Sequence, residues 1–177
     1  YRHIWMVLTK QPKRLAKFAR WLVEDERIGW PRNVICGTSI TSNTVKQRIA
    51  DLADVPGNLF LSVEPLIEEV SLEWIYELPD QIVKPSSVPI EYIPINKPIL
   101  VIVGGESGKD ARPFNIEWAR SLRDECQRYN VSYFLKQIGS RPITKGGLNI
   151  PGRDVKGGDW DEWDFDLRIR EFPKIEF

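Results

Sequence analysis

The run Ile-Leu-Val-Ile-Val-Gly-Gly-Glu-Ser-Gly at 99–108 decides the fold class. Five consecutive apolar side chains leave no polar face, which suits a strand covered on both sides, as in a parallel sheet. Four further runs of similar character lie at 4–8, 34–36 (extending to 40), 59–63 and 132–135. Helical spacing separates several of them. Within 12–26, Leu15, Phe18, Ala19 and Leu22 share a face, with Pro12 in the first turn; 43–54 repeats Val45, Ile49 and Leu52; 115–129 repeats Ile116, Ala119, Leu122 and Cys126 behind an Asn115 N-cap. A short helix is expected over 71–78. Strands alternating with helices imply βαβ units. Two architectures satisfy this: a small open doubly wound sheet, or the last strands of an eight-stranded barrel. Polar residues at the strand ends favour the second. The expected fold is α/β, a partial, TIM-barrel-like (β/α) barrel of about five parallel strands with flanking helices.

At 177 residues the chain suits one domain over 1–177 with a sizeable core. Its 25 basic and 25 acidic residues cancel, so the chain as a whole makes no electrostatic claim on nucleic acid or membrane. No apolar run approaches the roughly 20 residues of a membrane-spanning helix. The two cysteines, Cys36 and Cys126, read as reduced and buried, and the expected location is the cytoplasm. Two thiols are too few for a structural zinc or an iron–sulfur cluster, so no metal ligand set is assigned. Five prolines punctuate 79–98, read as an extended insertion over the barrel rim. The Gly-rich, charged stretch 141–177 reads as an irregular C-terminal wrap. Because the chain opens at Tyr1 on an apolar segment, it is expected to be the interior of a longer protein.

Ligands of parallel α/β folds sit at the C-terminal ends of the strands. Those positions hold Thr9 and Lys10, Thr38 and Ser39, Glu64, Gly104 to Ser107 with Glu106, and Lys136 with Gln137. Glu64, Glu106 and Lys136 are the candidate catalytic residues; Thr9, Lys10, Ser39, Ser107, Arg112 and Gln137 are the candidate substrate-binding ones. A carboxylate directly behind an apolar run is desolvated or paired. Glu64 and Glu106 therefore read either as a general base or a metal or amine ligand, or as structural partners of Lys10, Lys136 or Arg112. The turn at 104–108 has neither phosphate-loop nor dinucleotide spacing, although its amides could cradle an anion. Lys10, Lys13, Arg14, Lys17 and Arg20 gather positive charge around the first helix, read mainly as a solvated face. His3 lacks a visible partner, so no Ser-His-Asp or Cys-His nucleophile is proposed.

Taken in order, Val-Leu-Thr-Lys-Gln-Pro-Lys-Arg-Leu (7–15), Asn-Val-Ile-Cys-Gly-Thr-Ser-Ile (33–40), Leu-Phe-Leu-Ser-Val-Glu-Pro-Leu (59–66), Val-Ile-Val-Gly-Gly-Glu-Ser-Gly (101–108) with Ala-Arg-Pro (111–113), and Tyr-Phe-Leu-Lys-Gln-Ile-Gly (133–139) resemble a phage-associated Gp-type protein family of unknown function. The fuller members of that family look like radical-SAM-type barrels, with a cysteine cluster ahead of the Leu-Thr-Lys strand. The resemblance covers about residues 4–139, more loosely the tail at 158–162, and lacks that cluster. It places Thr9, Lys10, Glu64, Glu106, Ser107, Arg112, Lys136 and Gln137 in family motifs. It implies the C-terminal portion of a barrel enzyme acting on nucleic acid or a nucleotide-like substrate, with an iron–sulfur cluster and S-adenosylmethionine only in a full-length parent. A preceding segment or another chain would complete the barrel. The alternative is a non-catalytic module that binds an anion or a partner.

Overall fold

The computed structural model describes residues 3–26, 28–79, 81–83, 92–94 and 96–175. Strand β1 (Trp5–Thr9) leads through α1 (Pro12–Arg20) and a π-helical turn (Trp21–Asp25) to β2 (Val34–Ser39). A 3-10 turn (Asn43–Val45) and α2 (Gln47–Ala53) precede β3 (Asn58–Val63), and α3 (Glu73–Tyr76) follows it. A small antiparallel ribbon, β4 (Gln81–Val83) with β5 (Tyr92–Pro94), precedes β6 (Pro98–Gly104). Then come β7 (Phe114–Asn115), α4 (Ile116–Arg128), β8 (Ser132–Gln137) and β9 (Pro142–Ile143), with two 3-10 turns in the tail.

All five apolar runs are strands, and they form one parallel sheet in the order β1-β2-β3-β6-β8. The order never reverses, so the doubly wound alternative is removed: that fold needs a reversal to place helices on both faces. Right-handed crossovers in one direction put every helix on the same face. There Ala16 and Ala19 of α1, Ile49 and Leu52 of α2, Ile75 of α3, and Ile116, Ala119, Leu122 and Cys126 of α4 pack on Cys36, Leu61, Val63, Val101, Val103, Tyr133 and Leu135. Asn115 caps α4 by accepting from the Glu117 amide at 3.0 Å. The helix expected over 12–26 narrows to α1 and its π turn.

The opposite face carries a second, smaller apolar layer of Ile35, Phe60 and Leu100, joined by Ile4, Ile102, Phe134 and Ile175. Phe60 lies over β2 at its register partner Gly37, where an added Cβ would stand 2.5 Å from the ring. Among the described residues the sheet does not close into a barrel. Instead the tail runs antiparallel along the outer edge of β8: the Leu135 amide donates to Ile169 O and the Glu171 amide to Tyr133 O, both at 2.9 Å. Arg170 anchors this strap, its guanidinium 5.1–5.8 Å from the centroids of the Phe134, Trp160 and Trp163 rings. Nothing among the described residues pairs with the outer edge of β1, where Trp5 is 61% and Leu8 51% exposed.

The described end of the Pro-rich stretch leads into the N-terminal end of β6, where Asn96 donates to Val55 O. Residues 80, 84–91 and 95 of it lie outside the described residues. Among the described residues no helix is long and apolar enough to cross a membrane.

Gly37→Ala forces its new methyl into the buried Phe60 ring, and overpacking of this kind costs about 1–3 kcal/mol. Urea unfolding should show that loss, and Phe60→Leu in the same background should recover part of it. An unchanged midpoint for Gly37→Ala would show that the ring does not hold this position.

Candidate functional site

Side chains alternate along each strand, so Ser62 and Glu64 leave β3 on the face opposite the helices, as Lys136 does from β8. Strand β6 lies between them and ends at Gly104. A Cβ there would stand 2.5 Å from Glu64 Oε1, so the absent side chain is the space the carboxylate occupies. The β6–β8 register shifts between Val103 and Gly104, which makes Gln137, rather than Lys136, the partner of Gly104. Lys136 Nζ thereby meets Glu64 Oε1 at 3.3 Å across the intervening strand. Ser62 Oγ donates to Glu64 Oε2, also at 3.3 Å. Glu64 keeps only 20% of its side-chain surface exposed, Lys136 57%. The Glu64–Pro65 peptide is cis.

Glu106 is in a different state. Arg112 holds it in a fork, Nε to Oε2 at 2.8 Å and Nη2 to Oε1 at 3.0 Å, and the Arg112 amide adds a third bond to Oε2 at 3.0 Å. These donors favour the ionised form and lower its pKa to about 2. A carboxylate so saturated is a poor proton acceptor; it anchors the 104–113 loop. Gln137 Nε2 ties the same loop down, donating to Gly105 O at 2.9 Å and to Ser107 Oγ at 2.8 Å. The Gly105 amide donates to Gln137 O and the Gly108 amide to Ser140 Oγ, so two amides of the glycine turn are already engaged within the protein.

The candidate residues thus divide into groups. Glu64, Ser62 and Lys136 meet at the mouth; Glu106, Arg112, Ser107 and Gln137 build the loop beside it. On the β1–β2 side, Thr9 O accepts from Thr38 Oγ1 at 2.8 Å, and Ser39 O accepts from Arg48 Nη1 at 3.1 Å. Lys10 lines a separate cavity against α2 with Arg48. Sequence reasoning passed over Ser62, although it stands two positions before Glu64 and so shares its face. It also passed over Arg48 and Arg170, which donate to the carbonyls of Ser39 and of Leu135 and Lys136.

Among the described residues no group of three or more His, Cys, Asp or Glu side chains is arranged to hold a metal ion. Cys36 and Cys126 lie buried in the helix-facing core, and burial pushes their thiols up to about 11 and about 12. A cluster ligand must be a thiolate, so the cysteines present do not fit an iron–sulfur cluster.

A family model described as "Protein of unknown function (DUF5131)" matches residues 1–164. The chain belongs to this family. The match carries no reaction with it, and neither a phage association nor a radical-SAM relationship follows from it. No curated protein and no solved structure matches the chain.

The Glu106–Arg112 fork has a pH signature. Its lowered carboxyl pKa means that the fork is intact at and above the ordinary value of 4.5 and is lost only as pH falls toward about 2. Carbon-detected NMR of the glutamate carboxyls should show Glu106 titrating near 2 in the wild type. In Arg112→Leu it should move up toward 4.5; a resonance that stays low there would assign the shift to another partner.

Proposed function

We propose that the chain is part of a βα-barrel-type enzyme that takes an anionic, nucleotide-like substrate at the C-terminal ends of its strands. The observation that carries this reading is the contrast between the two glutamates. Glu106 is saturated by three bonds of 2.8–3.0 Å. Glu64 is largely enclosed, yet its two partners, Ser62 and Lys136, both stand at 3.3 Å. That is long for a charge-assisted bond, and a carboxylate offers about four acceptor positions. Glu64 therefore keeps capacity for a ligand while resting beside a cation that is more than half exposed.

In this reading Lys136 offsets the negative charge of the substrate, and Glu64 accepts or returns a proton on it. Arg112 and Glu106 position the glycine turn that forms one wall, with Ser107 and Gln137 fixing its height. Ser39, the register partner of Ser62, stands on the opposite side of the site, whereas Thr9 and Lys10 lead away from it toward the cavity against α2. No step runs through an iron–sulfur cluster or S-adenosylmethionine, because the cysteines present do not fit one. The second reading, a non-catalytic anion-binding module, rests on the same Lys136 without proton transfer.

The test uses ATP as the binding probe, and a mixture of ribonucleotides and deoxyribonucleotides with mass-spectrometric detection of products. ATP should raise the wild-type melting temperature by several degrees, the response expected when a ligand in large excess binds only the folded state. Lys136→Met should lose that shift. Glu64→Gln should retain it while product formation falls about 10²–10⁴-fold. Binding with no product from the wild type would select the non-catalytic reading, and neither binding nor product would overturn both.

A further inference from the structure

Charge balances over the whole chain but not along it. Five of the 25 basic residues, Lys10, Lys13, Arg14, Lys17 and Arg20, fall within eleven positions that contain no acidic residue. All five are exposed, and none has an ion pair among the described residues. Elsewhere in the fold Arg112, Arg120, Arg123, Arg128, Arg153 and Arg168 all pair with carboxylates.

This arrangement is unfavourable for the helix that bears it. Lys13–Lys17, Arg14–Lys17 and Lys17–Arg20 are like charges at three- or four-residue spacing, where neighbouring cations repel. The first turn of α1 contains no acidic residue, so Lys13 and Arg14 face the positive end of the helix dipole. An anion lying along α1 relieves both effects. The same residues line a cavity of about 410 Å³ between α1 and α2, where Lys10, Lys13, Arg14, Lys17 and Arg48 outnumber the single acid, Asp51. The cavity opens at the strand-end side of the sheet, because Lys10 directly follows β1 and Arg48 is tied to the carbonyl at the end of β2. Directly after Lys17 and Arg20 in the chain, Phe18 and Trp21 form a tilted pair with centroids 5.7 Å apart, 51% and 43% exposed. A cationic groove flanked by exposed aromatic rings is what a single strand engages, through its phosphates and by base stacking.

We propose that the α1–α2 cleft binds the sugar–phosphate backbone of a single-stranded nucleic acid, with Phe18 and Trp21 stacking its bases. This deepens the proposed function by naming the substrate class, and it rests on that reading only for the direction in which the strand leads, toward Glu64 and Lys136. Because ATP binding at the mouth is measured separately, failure of one proposal is distinguishable from failure of the other.

The experiment is fluorescence anisotropy with labelled 20-nucleotide DNA and RNA strands, and with the corresponding duplex, between 50 and 200 mM KCl. The wild type should bind single strands more tightly than duplex, with affinity falling about 0.7 log units per log unit of salt for each phosphate neutralised. Lys13→Gln/Arg14→Gln/Lys17→Gln should lower that slope by about 2 and weaken binding at 50 mM by about 100-fold. Lys17→Gln alone should lower it by about 0.7. Lys145→Gln/Lys156→Gln/Lys174→Gln removes the same charge from the tail and should leave binding unchanged. Melting curves confirm that each variant is folded. The proposal is overturned if the wild type does not bind at 50 mM, if duplex is preferred, if the cleft variants keep the wild-type slope, or if the tail variant loses as much.

Discussion

A sheet wound in one direction covers only one of its faces with its own helices, and most of what is distinctive here follows from that constraint. The helix-facing side is a continuous core drawing on α1 to α4. The other side must be covered by whatever else is at hand. At its centre Phe60 lies flat across Gly37, filling the layer from within the sheet. At the β8 side the tail supplies Ile175 and straps the strand's outer edge through Leu135 and Tyr133. Toward β1 the apolar side chains stay exposed. A strap on one edge and bare surface on the other is why the sheet remains open among the described residues.

The same one-way winding concentrates the polar chemistry. Every strand points the same way, so every strand's C-terminal residue arrives at one end of the sheet, and side chains on the uncovered face there are free to meet. Gly104 then sets the detail. Its missing side chain lets Glu64 and Lys136 approach over β6, while the loop after it is held rigid by the Glu106–Arg112 fork and by Gln137. Two glutamates that look alike in the sequence are thereby given different chemistry. One is locked and ionised by three donors; the other is enclosed and held by two longer contacts of 3.3 Å.

Much of this was legible before folding, for identifiable reasons. The strands at 34–39, 58–63 and 98–104 could be read because a strand buried on both faces needs an unbroken apolar run, which is a local property. Helix α4 was legible from its 3.6-residue spacing and from Asn115, whose side chain caps two residues on. The separate fates of Glu64 and Glu106 were not legible. They depend on a register shift between β6 and β8 and on an arginine six residues downstream folding back, neither of which leaves a periodic trace. Arg48 and Arg170 were overlooked for the same reason, since their partners are supplied by the fold.

By itself, then, the sequence determined the alternation of buried strands and amphipathic helices, and with it the end of the sheet where polar residues collect, because these follow from short-range hydrophobic periodicity and from all strands running parallel. Only the tertiary structure decided that the sheet is singly wound and, among the described residues, open, that the tail rather than another strand covers β8, and that Glu106 is saturated by Arg112 while Glu64 is enclosed with its partners at 3.3 Å. Those outcomes rest on tertiary packing and hydrogen bonds, where no local pattern in the chain records which partner is chosen.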